Sequence, residues 1–279
     1  MLGEQQDFFK RGSVRYLPRK IITGQQHAIH RFLREVKNNH HLDRAFRRSR
    51  EILAQEFEDC DTLIISYEDI LLDEKINHQR FSLYEGVNER VERFAELLKD
   101  YDVTIFMTVR NWSTWMASYY YQMVRQGETR SLKEFIRDLE NDDINWNKPV
   151  VALLKNFGAE NVNIITYEAL QAEPDYLYQQ ILKASDRPVY GKTEMPRVNR
   201  TYGAGTIHYI RFWNWVFSLR SRSPKIRRFI RHKVYPWLTY WLAYTPQLKL
   251  KRDQARFFDS QYEQQLAELS ELTDPHPKL

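Results

Sequence analysis

The apolar positions of the chain fall into short blocks separated by helical stripes. Val103-Thr104-Ile105-Phe106-Met107-Thr108-Val109 is a compact, largely apolar run that reads as a buried strand. Arg110 ends it. Trp112, Trp115, Met116, Tyr119, Tyr120 and Met123 then recur at i, i+3, i+4, i+7, i+8 and i+11, one face of a helix over 111–127. Thr62 to Ser66 and 161–166 read as two more short strands. Helical patterns occupy 25–38, where Ile29, Phe32, Leu33 and Val36 share a face, then 43–57, and then 86–99, where Val87, Val91, Phe94, Leu97 and Leu98 do. Ser131 and Glu134 make a capping box for a helix over 131–139. A helix over 146–157 is broken by Gly158, and Pro174 sits near the first turn of a helix running to Ser185. This alternation predicts an α/β fold built on a parallel sheet. Residues 186–204 read as a loop, 205–244 as an aromatic and basic helical stretch, and 253–272 as a polar-faced packing helix.

Length and composition narrow the class. At 279 residues and 42% hydrophobic, the chain is long and apolar enough for one full α/β core with an appendage. The boundaries expected are 1–204 for the α/β domain and 205–279 for a helical extension packing on it. A single cysteine, Cys60, excludes an internal disulfide framework and a cysteine-based zinc site, and reads as a passive residue in a reducing compartment. No apolar h-region is visible near Met1, and no apolar run approaches the roughly 18 residues of a membrane span. A cytoplasmic location is the expectation. Charge is unevenly placed: Met195 to Arg252 holds 13 Lys and Arg and no Asp or Glu, while the rest carries 29 basic against 37 acidic residues. The basic stretch calls for an anionic partner.

The candidate chemistry starts at Arg110. Ligands of α/β sheets bind at strand carboxyl ends. An arginine placed there, followed by a helix N-terminus, suits a phosphate through bidentate guanidinium bonds and the free N–H groups of the helix. Ser118, eight residues on, lies off the apolar face. The same spacing also fits a surface ion pair and a solvated hydroxyl.

The segment "VTIFMTVRNWSTWMASYYYQMVRQGETRSLKEFI" resembles the 3′-phosphate-binding region of sulfotransferases that use 3′-phosphoadenosine 5′-phosphosulfate (PAPS). Arg110, Ser118 and the Tyr119-Tyr120 context match that pattern in type and spacing. "LLKNFGAENVNIITYEAL" resembles a later family strand entered by an "FG-x-x-N-V" turn, and "TLIISYEDILL" an earlier one written "S-x-E-x-L" in many bacterial members. The chain departs from the family where Asn111-Trp112 replaces the usual Pro or Gln after the arginine, and where an Arg-Lys-Gly run has no counterpart. The "P-K-[ST]-G-T-[ST]" donor loop between the family's first strand and first helix is also missing. "MLGEQQDFFKRGSVRYLP" resembles the tail of the helix beyond that loop and the "x-x-G-V-x-Y-P" run after it, so Met1 is expected to be an internal methionine of a longer protein.

The resemblance implies a P-loop-NTPase-like parallel sheet flanked by helices, with its first, central strand and donor loop outside this chain. It implies PAPS as donor, no metal, and transfer of a sulfuryl group to a hydroxyl of a carbohydrate, glycolipid or small metabolite. Arg110 and Ser118 would hold the 3′-phosphate. Tyr167 would lie against the adenine, or would simply close the core at a strand end. Glu68 falls where a general base is needed, although it equally fits a structural role beside Asp69. The alternative is an inactive remnant that binds nucleotide or a membrane surface, and that is poorly soluble or partly molten because strand edges are left unpaired. His27 and His30 stand at i, i+3 on the first helix without a third metal ligand and read as polar surface.

The partners expected of the basic stretch follow. Trp213, Trp215, Trp237 and Trp241 bracket Arg220, Arg222, Arg227, Arg228 and Arg231. Basic and aromatic residues together suit peripheral membrane contact through 205–252, an anionic glycan or sugar rings. Nucleic acid ranks last because no groove-binding motif accompanies them. A helical hairpin that packs its tryptophans on the core is the structural alternative.

Overall fold

The computed structural model of the protein describes residues 14–17, 28–34, 39–58, 60–67, 70–71, 83–137, 144–185, 203–220 and 249–272. The elements, in chain order, are β1 (Val14–Leu17), α1 (Ala28–Arg34), α2 (Asn39–Phe57), β2 (Thr62–Ile65), α3 (Val87–Leu98), β3 (Ile105–Val109), α4 (Trp112–Gln126), α5 (Leu132–Arg137), α6 (Asn147–Phe157), a 3₁₀ turn (Ala159–Asn161), β4 (Val162–Thr166), α7 (Tyr167–Ala172), α8 (Tyr176–Ala184), α9 (Ala204–Arg220) and α10 (Arg252–Leu272). The fold is mixed α/β. The chain divides into two compact units, one of residues 1–109, 145–196 and 268–279, the other of 110–144 and 197–267.

All strand pairing in the first unit is parallel, as the helix–strand alternation predicts, but the sheet is not continuous. β1 pairs with β2 and β3 with β4, giving two separate two-stranded ladders among the described residues. Val14 lies opposite Thr62 and Leu17 opposite Ile65; Ile105 lies opposite Val162 and Val109 opposite Thr166. Alternation along β1 sends Leu17 to one face and Val14 and Tyr16 to the other. Leu17, Leu63, Ile65 and Ile105 share one core with Ile29, Phe32 and Leu33 of α1, Ile52 and Leu53 of α2, and Phe94 and Leu97 of α3. Both ladders therefore sit under the same apolar layer. Val14, Tyr16 and Ile64 pack instead against Tyr178 and Leu182 of α8. Arg15, on the α2 side, pairs with Glu56 at 3.1 Å.

β1 and α7 were not legible as elements. β1 is four residues with a charge inside, too short for a period to show, and pairing with β2 makes it a strand. α7 begins directly at Tyr167 because Thr166 ends β4 and caps the helix, its Oγ1 accepting the Ala169 N–H at 3.2 Å. The "FG-x-x-N-V" run has a physical reason. Phe157 ends α6, Gly158 turns the chain at φ 84° while its N–H bonds Leu154 O, and Asn161 Nδ2 donates back to Phe157 O at 2.9 Å before β4 starts. A side chain at 158 would meet the positive φ as well as the Glu160 carboxylate.

The buried face expected for α3 is found, with one addition: Arg90, only 6% exposed, lies among Val87, Val91, Phe94, Leu97 and Leu98. Its Nε donates to Ile70 O at 2.7 Å, and its terminal nitrogens to Leu71 O at 3.1 Å and Glu85 O at 2.5 Å. One fixed fork thus ties the chain after β2 to the start of α3, with three carbonyl oxygens turned toward its charge. Arg90→Met is expected to lower the unfolding free energy by about 2–4 kcal/mol, because it orphans these carbonyls. Urea unfolding checks this, and Arg90→Lys recovers only part of the loss because an ammonium lacks the fork.

Candidate functional site

Arg110 and Ser118 both belong to the second unit, and α4 sets their relation. Asn111 is the helix N-cap: its Oδ1 accepts the Ser113 N–H at 2.8 Å and the Ser113 hydroxyl at 2.7 Å. The departure from the family pattern at 111 is therefore the residue that starts the helix. It also satisfies one of the N-terminal N–H groups on which an anion would otherwise draw, which shifts the burden onto the arginine. Arg110 Nε donates to Thr114 Oγ1 at 2.9 Å, and Thr114 Oγ1 donates to Asn111 O at 3.0 Å. The arginine is thus laid along α4 on the side of Thr114.

Ser118 is one turn further on that side. Arg110, Thr114, Ser118 and Gln122 are spaced by four, each step advancing about 6 Å along the axis. Ser118 is half-buried, and Thr114 and Gln122 are exposed. The two residues singled out in the sequence point along one stripe, and Thr114 is the member that sequence reasoning missed. Its signal was the i+4 spacing between the arginine and the serine. The opposite face of α4 carries the buried Trp112, Met116, Tyr119, Tyr120 and Met123; Val124 is buried at its edge, and Tyr121, buried as well, stands at i+7 from Thr114 on the side of the stripe, while Trp115 is half-buried and stacks on Tyr119 with centroids 4.6 Å apart.

Both ends of α4 are fixed within its unit. At the start, the fully buried Trp112 donates from Nε1 to Gln265 Oε1 of α10 at 2.9 Å, and Gln265 Nε2 donates to Ile144 O at 2.7 Å. At the end, Gly127 at φ 118° gives the left-handed turn, with its N–H on Val124 O and the Glu128 N–H on Met123 O. Asn214 of α9 donates to Val124 O and Glu128 O at 2.6 and 3.1 Å. Glu128 then holds Arg130 by a 2.6 Å ion pair and accepts the backbone N–H groups of Thr129 and Arg130. Tyr120 donates its hydroxyl to Arg130 O at 2.8 Å. The capping box read from the sequence is present: Glu134 accepts the Ser131 N–H at 2.7 Å, and Ser131 Oγ accepts the Glu134 N–H at 3.3 Å.

The other sequence candidates lie in the first unit or outside the described residues. Tyr167 is half-buried at the first position of α7. Val109 and Thr166 are register partners at the carboxyl ends of β3 and β4, and Tyr167 follows directly on β4. Glu68 and Asp69 lie outside the described residues, as do His27, Trp237, Trp241 and Arg222 to Arg231. His30 is not polar surface. It is half-buried, and its Nδ1 shares a 2.7 Å hydrogen bond with the hydroxyl of the buried Tyr67, two residues past β2. Its position on the apolar stripe beside Ile29, Phe32 and Leu33 was the sign. Cys60 donates its thiol to Glu56 O at 3.1 Å. Among the described residues, no three His, Cys, Asp or Glu come together to hold a metal, and no helix is long and apolar enough to cross a membrane.

No model of a known protein family matches the chain, and no curated protein matches it. Among solved structures the chain is similar to the crystal structure of a sulfotransferase from Alicyclobacillus acidocaldarius. The identity is 14% and the TM-score 0.37, over 78% of this chain and 99% of that one.

The Glu128 latch gives the site helix an acid limit. Burial opposes the charge of Glu128, but hydrogen bonds from the Arg130 side chain and backbone, the Arg130 charge and the Thr129 N–H outweigh it and hold the carboxyl below its ordinary 4.5. The folded state then binds this proton less readily than the unfolded chain. The stabilisation is complete above the ordinary carboxylate value and is lost as pH falls through the lowered one. Glu128→Gln is expected to lower the melting temperature at neutral pH, with the gap to the unaltered protein closing as pH drops below about 4.5. Thermal melts across that range test it.

Proposed function

We propose that the chain binds a nucleotide carrying a 3′-phosphate through Arg110 and Ser118, and that it belongs to a sulfotransferase lineage moving a sulfuryl group from PAPS to a hydroxyl of a carbohydrate, glycolipid or small metabolite. The observation that carries this reading is the Arg110–Thr114–Ser118 stripe. Thr114 takes Nε, the inner guanidinium nitrogen, and so lays the cationic group along α4 on the side of Ser118; a guanidinium is the side chain best shaped to grip phosphate. Ser118 adds a hydroxyl one turn on. On this reading Arg110 supplies the charge and Ser118 a hydroxyl donor, while Thr114, whose own proton goes to Asn111 O, only orients the arginine.

The chemistry asks for little beyond positioning and charge. The acceptor oxygen forms its bond to sulfur as the bond from sulfur to the donor's phosphate oxygen breaks. The acceptor proton passes to a base, and the leaving phosphate gathers negative charge. Glu68 follows the buried Tyr67 in sequence and has the right chemistry to be that base. Tyr167 offers a ring for the adenine.

Isothermal titration with the desulfated product, 3′-phosphoadenosine 5′-phosphate, is the test. Arg110→Ala is expected to weaken binding about 10- to 100-fold and Ser118→Ala about 3- to 10-fold, while adenosine monophosphate, lacking the 3′-phosphate, is bound alike by all three proteins. Equal affinity of the unaltered chain for the two nucleotides would overturn the proposal.

A further inference from the structure

α10 carries a buried stripe at Phe258, Tyr262 and Gln265, spaced i, i+4 and i+7. Two members are aromatic and the third is an amide, 5% exposed. An aliphatic side chain at 265 would continue the stripe without cost, whereas a buried amide needs partners at both of its ends. Gln265 has them. Its Oε1 accepts the Trp112 Nε1–H at 2.9 Å, and its Nε2 donates to Ile144 O at 2.7 Å. An indole N–H only donates and a backbone carbonyl only accepts, so these two bonds hold the amide in one orientation.

The Gln265 amide meets α4 at its first residue. Trp112 is fully buried and stands two positions before Thr114, about 200° around the helix. The indole is therefore held across α4 from Thr114, the residue that lays Arg110 along the helix. A helix turns as a rod, so holding one side of its first turn sets where the other side faces. At about 6 Å from the axis, a rotation of about 10° moves a group by about 1 Å, more than a contact of fixed geometry tolerates. We infer that Gln265 is a positioning residue for the nucleotide's 3′-phosphate, setting the rotation of α4 through Trp112 and with it the direction of Arg110 and Ser118, an inference that rests on the reading of that pair as the phosphate site.

Isothermal titration of full-chain variants with 3′-phosphoadenosine 5′-phosphate and with adenosine monophosphate tests it. Gln265→Met keeps the length of the side chain and removes both bonds. It is expected to weaken binding of the 3′-phosphorylated nucleotide about 5- to 20-fold and to leave that of adenosine monophosphate unchanged. In an Arg110→Ala background the same substitution is expected to change the affinity by less than about twofold, because residues that act through one another do not add. Gln265→Glu keeps the acceptor for Trp112. It is expected to melt at a lower temperature than the unaltered chain, as a buried carboxylate requires, and still to prefer the 3′-phosphorylated nucleotide. Trp112→Phe removes the donor from the other end of the bond; it is expected to show the same loss as Gln265→Met, and it decides the question if that protein does not fold. Affinity that falls in step with melting temperature across the variants, equally with and without Arg110, overturns the inference, because stability alone would then be at work. Full preference for the 3′-phosphorylated nucleotide in both Gln265→Met and Trp112→Phe overturns it too. Equal affinity of the unaltered chain for the two nucleotides counts against the phosphate site itself and removes the role of Gln265 with it.

Discussion

A pair of parallel strands does not stabilise itself in water: two strands are too few, and parallel ladders need cover on their faces. The first unit depends on meeting that constraint twice with one layer. α1, α2 and α3 lay Ile29, Phe32, Leu33, Leu53, Phe94 and Leu97 over Leu17, Leu63, Ile65 and Ile105, so side chains from β1, β2 and β3 share one apolar core although no ladder runs from β2 to β3. Arg90 matters for the same reason. It holds the chain after β2 to the helix that covers it, and it does so with backbone carbonyls that would otherwise be buried without donors.

In the second unit the controlling element is α4. Its N-cap, its tryptophan anchor to Gln265, its glycine stop and the Asn214 bond fix both ends of the helix. A polar stripe on a helix so fixed is held in place: Thr114 lays Arg110 along α4, so the ordering of that long flexible side chain is met within the fold.

The parts legible in the sequence were those with a period or a local rule. The apolar faces of α3 and α4, the strands 105–109 and 162–166, the capping box at Ser131 and the start of α10 near 253 follow from spacing and side-chain chemistry alone. What escaped depends on distant partners. β1 is a strand only because β2 lies beside it. Arg90 is buried because Ile70 and Leu71 turn their carbonyls toward it, and His30 because Tyr67 meets it from 37 positions away. Helix–strand alternation predicts parallel pairing, which the ladders show, but which strand lies beside which is a long-range property that spacing does not give. On α4 the spacing of Arg110 and Ser118 was readable, and the Thr114 hydrogen bond that lays the arginine along the helix was not, since it appears only once the side chains have directions.

Among the described residues no main-chain bond joins β2 to β3, and this has a mechanical consequence. Side-chain packing is what joins the two ladders in their shared core, and packing yields to small separations that hydrogen bonds would resist directionally. Each ladder resists shear along its own hydrogen bonds, whereas the join between the ladders rests on Leu63, Ile65 and Ile105 gripping one shared apolar core.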